Sequence, residues 1–206
     1  MRRLLILCRH GNTFNTGEKV YIVGAQQDLA LTPVGKAQAV AVGQALKRNA
    51  LIPSRILAAP LKRTLEFAEL VGDLVGSTDS VTIDTRLIEL DYGLWGGLSD
   101  AEIAERWGGE SLDRWQLDGI RPSGVTFYPS EPELEADVRE FLIESASFEG
   151  TTLAVTSNGR LREFSRLIVG VPRKVRTGAV CVLEHNSAGN WKVVGWDIQP
   201  DQLALS

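Results

Sequence analysis

The run Leu4-Leu5-Ile6-Leu7-Cys8 stops abruptly at Arg9-His10-Gly11. An unbroken apolar run of this length, closed by polar residues and a glycine, reads as a strand buried on both faces. A parallel sheet with helices on either side needs strands of that kind. In open α/β sheets, ligands collect at the carboxyl ends of the strands. A histidine there sits beside an arginine and a glycine that lets another group approach the backbone. That combination points to a nucleophile or base facing an anion. Alone, the tripeptide is explained as well by a capped strand end with a hydrogen-bonded histidine.

The rest of the chain alternates strand-like and helix-like segments, which is the α/β pattern. Residues 3–8 form the first strand. Thr32 and Pro33 mark a helix start as N-cap and first helical residue. Residues 55–58 read as a second strand, and Pro60 opens a helix that ends near Gly72 or Gly76. A short strand falls at 81–83. Ser99 and Glu102 have capping-box spacing at the head of a short helix. Residues 131–147 are an amphipathic helix, 152–156 an interior strand and 159–169 a helix, with Pro172 beyond it. Residues 180–183 and 191–196 read as an antiparallel hairpin at the sheet edge. The expected architecture is α/β: three α/β/α layers, a mainly parallel sheet and an antiparallel edge. A single domain over 1–206 is expected, with the aperiodic 108–130 stretch as a lid or flap loop.

Composition narrows the function classes. A net charge of −4 over 206 residues argues against nucleic acid, which wants a basic face. No apolar run approaches the ~18 residues of a membrane span. Arg2-Arg3 is not a secretory signal start, because Arg9-His10 interrupts the apolar stretch too soon. Cys8 and Cys181 each lie in an apolar run and read as reduced core thiols, hence a cytoplasmic setting. No His, Cys, Asp or Glu cluster has metal-ligand spacing, so neither metal nor cofactor is expected. A homo-oligomer stays open.

Four segments fall in a recognisable order. They are Arg9-His10-Gly11-Asn12-Thr13, then residues 31–39 beginning Leu31-Thr32-Pro33-Val34-Gly35, then Ala58-Ala59-Pro60-Leu61-Lys62-Arg63-Thr64. The fourth is residues 87–98, containing Glu89-Leu90-Asp91-Tyr92-Gly93-Leu94-Trp95. From residue 3 to about 196 the chain resembles the histidine phosphatase superfamily, the phosphoglycerate-mutase-like family. The resemblance implies a phosphomonoesterase that takes a small-molecule phosphate ester. His10 would be the nucleophile, with its other ring nitrogen held by an acceptor. Arg9 and Arg63 would clamp the phosphate, since a planar guanidinium meets two phosphate oxygens at once. Glu89 would protonate the leaving oxygen, and Asp91 is its rival for that role.

The resemblance also predicts a second histidine, in a Val-Ser-His-Gly-Gly pattern. The matching run is Val155-Thr156-Ser157-Asn158-Gly159-Arg160-Leu161-Arg162, which puts Ser157 at the histidine position. The chain's other histidine, His185, lies at the lip of the C-terminal hairpin and is expected to have no catalytic role. Ser157 donates one neutral hydrogen bond where imidazolium would donate a charged one. Asn158, opening the next helix, would add to phosphate binding through that helix N-terminus. Arg160 and Arg162 either turn toward the phosphate or are exposed helix residues. Asn12 and Thr16 are expected near substrate, Thr16 standing where the family often has Asn. The family's Gly-Glu-Ser substrate loop has no counterpart in Pro122-Ser123-Gly124-Val125-Thr126. Trp115, Phe127 and Tyr128 would line a lid or act as packing residues. Three readings follow: a weak phosphatase working through phospho-His10, an impaired relative that binds a phosphorylated ligand or partner, and, least favoured, a phosphoglycerate mutase.

Overall fold

The computed structural model describes residues 2–77 and 80–204. Six strands form one sheet: β1 (Arg3–Arg9), β2 (Arg55–Ala58), β3 (Thr82–Ile83), β4 (Gly150–Thr156), β5 (Val180–His185) and β6 (Trp191–Ile198). Their order is β3-β2-β4-β1-β5-β6. The four strands from β3 to β1 run parallel, while β5 and β6 are antiparallel and close one edge. The expected mainly parallel sheet with an antiparallel edge is what forms.

Strand pleating sends alternate residues to opposite faces. Leu4, Ile6 and Cys8 pack on one side with α1 (Pro33–Arg48) and α2 (Lys62–Val75), through Val42, Leu46, Phe67 and Val71. Leu5 and Leu7 pack on the other with α5 (Glu131–Ser147) and α6 (Asn158–Val169), through Val138, Phe141, Leu161 and Phe164. The α1 and α2 helices form for local reasons. The Thr32 hydroxyl accepts from the Gly35 N–H at 3.1 Å to cap α1, and α2 ends on Gly76 in the left-handed conformation. Pro60 precedes α2 rather than opening it.

The register sets the site. Arg9 pairs with Thr156 and Ala58 with Val155, so β2, β4 and β1 end side by side. His10, Ala59 and Ser157 are each the residue just beyond one of those ends.

Residues 108–130 are not all loop. They include α4 (Gly109–Asp118), which follows α3 (Asp100–Trp107), with Ser99 and Glu102 forming the expected capping box on α3. In α4 only Leu112 is buried, so no apolar stripe betrays the helix in the sequence. Together α3, α4 and the segment after them enclose a third apolar cluster, including Leu90, Tyr92, Trp95, Ile103, Leu112 and Phe127. Phe127 is in this cluster as packing, Tyr128 points to solvent, and Trp115 packs edge-on against both Tyr92 and Phe127. Among the described residues no helix is long and apolar enough to cross a membrane.

Candidate active site

His10 leaves β1 with its backbone N–H still bonded to the Thr156 carbonyl at 3.1 Å. The ring is 7% exposed. Its Nδ1 lies 2.8 Å from the Gly11 carbonyl. A carbonyl only accepts, so Nδ1 carries the proton and Nε2 keeps a lone pair. Burial, then the positive charges of Arg9 and Arg63, hold the imidazole pKa well below its usual 6.5. The ring is therefore neutral and nucleophilic at physiological pH. Its loop is fixed by backbone contact: a Cβ on Gly11 would sit 2.6 Å from the Gly35 Cα, and one on Gly35 would overlap the Asn12 carbonyl. Two glycines let the first turn of α1 lie directly on the histidine loop.

The two arginines are held by main-chain carbonyls. Arg9 Nη1 donates to the Val175 carbonyl at 2.7 Å. Arg63, in the first turn of α2, donates from Nη1 to the Gln27 carbonyl at 2.7 Å and from Nη2 to the Gly24 carbonyl at 3.1 Å. Both Nε atoms are buried without a hydrogen-bond partner. Burial lowers both pKa values, and the Glu89 charge opposes it.

Glu89 is 4% exposed. Its Oε1 accepts from the Leu90 N–H at 2.8 Å and its Oε2 from the Gly159 N–H at 3.1 Å. A carboxylate held at both oxygens has little freedom to rotate. Burial and the neighbouring Glu89 charge keep the Tyr92 phenol protonated, well above its usual pKa. Asp91 instead accepts from the Gly93 N–H at 2.9 Å and from Gln26 at 3.0 Å and does not line the cleft that Glu89 lines.

A cleft of about 640 Å³ opens over these groups. Arg9, His10, Glu89 and Asn158 line it, as do Asn12 and Thr16. Arg63 and Ser157 do not. The Arg63 guanidinium is drawn inward by its two carbonyls, and Ser157 is 1% exposed with an unpartnered hydroxyl at the N-cap of α6. Arg63 still acts on the cleft by charge, since its guanidinium helps to lower the His10 pKa. Asn158 is partly committed, its Oδ1 accepting from the Val175 N–H at 3.0 Å. Asn12 is positioned by Gln38, which accepts from its N–H at 2.8 Å, and by the Thr177 hydroxyl at 2.6 Å.

Several wall residues were not foreseen. Phe14 and Tyr21 form an edge-on pair at 4.8 Å on one wall, and Gln116, Lys174 and Thr177 stand on others, beside Trp115, which lines the cleft as one of its two expected roles. Only the basic run at 173–176 could have marked one of them from sequence. Arg160 and Arg162 are neither exposed nor free to swing. Arg160 is fully buried against Asp137. Arg162 lines the cleft but donates to the Gln116 and Trp115 carbonyls at 2.8 and 2.7 Å, holding the end of α4. His185 ends β5 with its ring against Trp191 at 5.1 Å, beside the start of β1 and so at the opposite end of the sheet from the site.

The sequence profile of the Histidine phosphatase superfamily (branch 1) matches residues 5–199. The chain belongs to that superfamily. Among curated relatives, a 2,3-bisphosphoglycerate-dependent phosphoglycerate mutase of Mesorhizobium japonicum is 33% identical over 126 residues, 60% of this chain and 60% of its own. A glucosyl-3-phosphoglycerate phosphatase of Mycobacterium tuberculosis is 34% identical over 138 residues, 66% of this chain and 55% of its own. The chain thus spans about half of the length of the curated relatives it matches. A solved mycobacterial glucosyl-3-phosphoglycerate phosphatase superposes with a TM-score of 0.79 at 23% identity, over 96% of this chain and 99% of that one. The alpha-ribazole phosphatase of Shigella flexneri gives 0.74 at 19% identity, over 95% and 96%. At those identities the likeness is one of fold.

Proposed function

We propose that this histidine phosphatase is a metal-independent phosphomonoesterase acting through a phosphohistidine on His10. The observation that carries the reading is the Nδ1 contact to the Gly11 carbonyl at 2.8 Å, in a ring held neutral, with Glu89 on the same cleft. The Nε2 lone pair attacks phosphorus and the phosphorus–oxygen ester bond breaks. Glu89, carrying a proton once the phosphate's negative charge is bound beside it, gives that proton to the departing oxygen. Water then attacks the phosphohistidine, the Glu89 carboxylate takes its proton, and inorganic phosphate leaves with His10 restored. Arg9 and Arg63 neutralise the phosphoryl oxygens, aided by Asn158 and the N-terminus of α6. Asn12 and Thr16 sit where the rest of a small-molecule phosphate ester would lie. Free, buried Cys8 and Cys181 accord with a cytoplasmic, reducing setting.

In this reading Ser157 stands where the superfamily has its second histidine. Losing one such donor typically costs ~10²–10³ in rate, so turnover is slow. The same feature favours a second reading, a phosphate-binding relative with little turnover. Incubation with a radiolabelled aryl phosphate separates the two. Label should reach His10, be absent in His10→Ala, and form equally with a chelator present. Label that is not displaced by water but passes to a phosphoglycerate would indicate a mutase. Bound phosphate without label on His10 would leave only the binding reading.

A further inference from the structure

Arg160 is the second residue after Asn158 in α6 and lines neither the active-site cleft nor the neighbouring groove between α5 and α6. Its side chain is fully buried, an unusual place for a guanidinium. Nη1 meets Asp137 of α5 at 3.0 Å, and Nε donates to the Ile88 carbonyl at 3.0 Å. That carbonyl belongs to the residue just before Glu89. It is the middle of three contacts made by one short stretch. The Thr156 hydroxyl donates to the Leu87 carbonyl at 2.5 Å, Arg160 to Ile88, and the Gly159 N–H to the Glu89 carboxylate at 3.1 Å. The end of β4 and the first turn of α6 thus grip three consecutive residues, 87 to 89. Two of the three contacts come from a strand-end hydroxyl and a backbone amide. The third needs a side chain, and that side chain is oriented by Asp137.

We propose that Arg160 is a positioning residue, held by Asp137, that fixes the Leu87–Ile88–Glu89 strap so that the Glu89 carboxyl reaches the leaving oxygen. The inference rests on the reading of Glu89 as proton donor. Asp137 is 36% exposed at its side chain and lies on a different helix, so the device ties the acid's position to the packing of α5 on α6. Burial lowers the Arg160 pKa, and Asp137 chiefly opposes it, so the side chain stays charged and paired.

The test exploits the leaving group. A nitrophenolate departs without help, whereas an alkoxide must be protonated as it leaves, so in the step that forms the phosphohistidine, which kcat/KM reports, only the alkyl ester depends on where the acid sits. Arg160→Met keeps similar bulk, and replacing one buried ion-pair member by an apolar group is checked for folding by thermal melt. We expect kcat/KM on nitrophenyl phosphate to fall no more than about 3-fold. On glycerol phosphate kcat/KM should fall by ~10²-fold, the cost of roughly 1 Å of misplacement. If Arg160→Met does not fold, Asp137→Asn serves, since it keeps an acceptor for Nη1 but removes the charge. It should show the same selective loss at smaller size. An equal fall on both esters, or no fall on either, in a folded variant overturns the inference. Glu89→Gln is the control. If it too treats both esters alike, the acid assignment itself is wrong and the inference goes with it. If it is selective while both Arg160→Met and Asp137→Asn are not, only the positioning role fails.

Discussion

Gly159→Ala should separate activity from folding, because the added methyl meets the acid itself. A Cβ at that position would overlap Glu89 Oε1 and lie 2.6 Å from the Tyr92 hydroxyl and 3.1 Å from Leu90 Cδ1. Tyr92 cannot yield easily: its ring is packed edge-on against Phe127 at 5.1 Å and Trp115 at 5.8 Å. The carboxylate must move instead, and the 3.1 Å bond from the Gly159 N–H goes with it. A hydrogen bond to a charged group is worth ~1.5–3 kcal/mol, and overpacking adds ~1–3 kcal/mol. Alanine recovers up to ~1 kcal/mol over glycine in a helix. The net loss of stability is therefore about 1.5–5 kcal/mol, survivable over most of that range for a domain with ~5–15 kcal/mol to lose. The rate should suffer more. A shift of about 1 Å in a reacting group costs ~10²-fold. Steady-state kcat/KM on an alkyl phosphate, read beside a thermal melt, checks both expectations. A folded Gly159→Ala protein with wild-type kcat/KM would refute the idea that Glu89 depends on this close approach.

Two further outcomes follow from the same geometry. Ser157→His should raise kcat/KM on an aryl phosphate about 10-fold, the gain of ~1.4 kcal/mol expected from one recovered charged donor after some loss to crowding at a fully buried position; a fall in a folded variant would mean that the site is built around the smaller side chain. For pH, the unfolded chain takes up a proton near 6.5 that the folded His10 resists, so its neutral burial favours the fold above pH 6.5, and this contribution is lost as pH falls below that value. Urea midpoints measured below pH 6.5 should therefore decline more steeply in wild type than in His10→Gln, and matching slopes would count against a buried neutral ring.

The parts of this architecture legible in the sequence are those that local physics decides. The 4–8 run had to be a doubly covered strand, and Thr32 with Pro33 had to start a helix. The order of motifs then located His10, Arg63 and Glu89. Helix α4 was hidden because its polar residues face outward and two glycines precede its body, so neither period nor propensity marks it. Arg160 and Arg162 were misjudged for another reason. An arginine on a helix is usually exposed, and only long-range partners bury these two: Asp137 and Ile88 for one, the end of α4 for the other. The wall made by Phe14, Tyr21 and Lys174 is likewise a meeting of segments far apart in the chain, for which no local signal exists.

The backbone-to-backbone seat of Gly11 on Gly35 has a consequence for how such a cleft can diversify. On one side of the 13–23 stretch, Asn12 is tied to Gln38 and Thr32. On the other, the Gly24 carbonyl is tied to Arg63. The wall residues Phe14, Thr16, Val20 and Tyr21 all lie between these two moorings. Substitutions of these side chains fall between the two moorings, and Ile22 within the span is tied separately, to Gly97 and Leu98. The nucleophile and the wall are thus mechanically separate modules, and new walls can be spliced between the same moorings while the reactive nitrogen keeps its place.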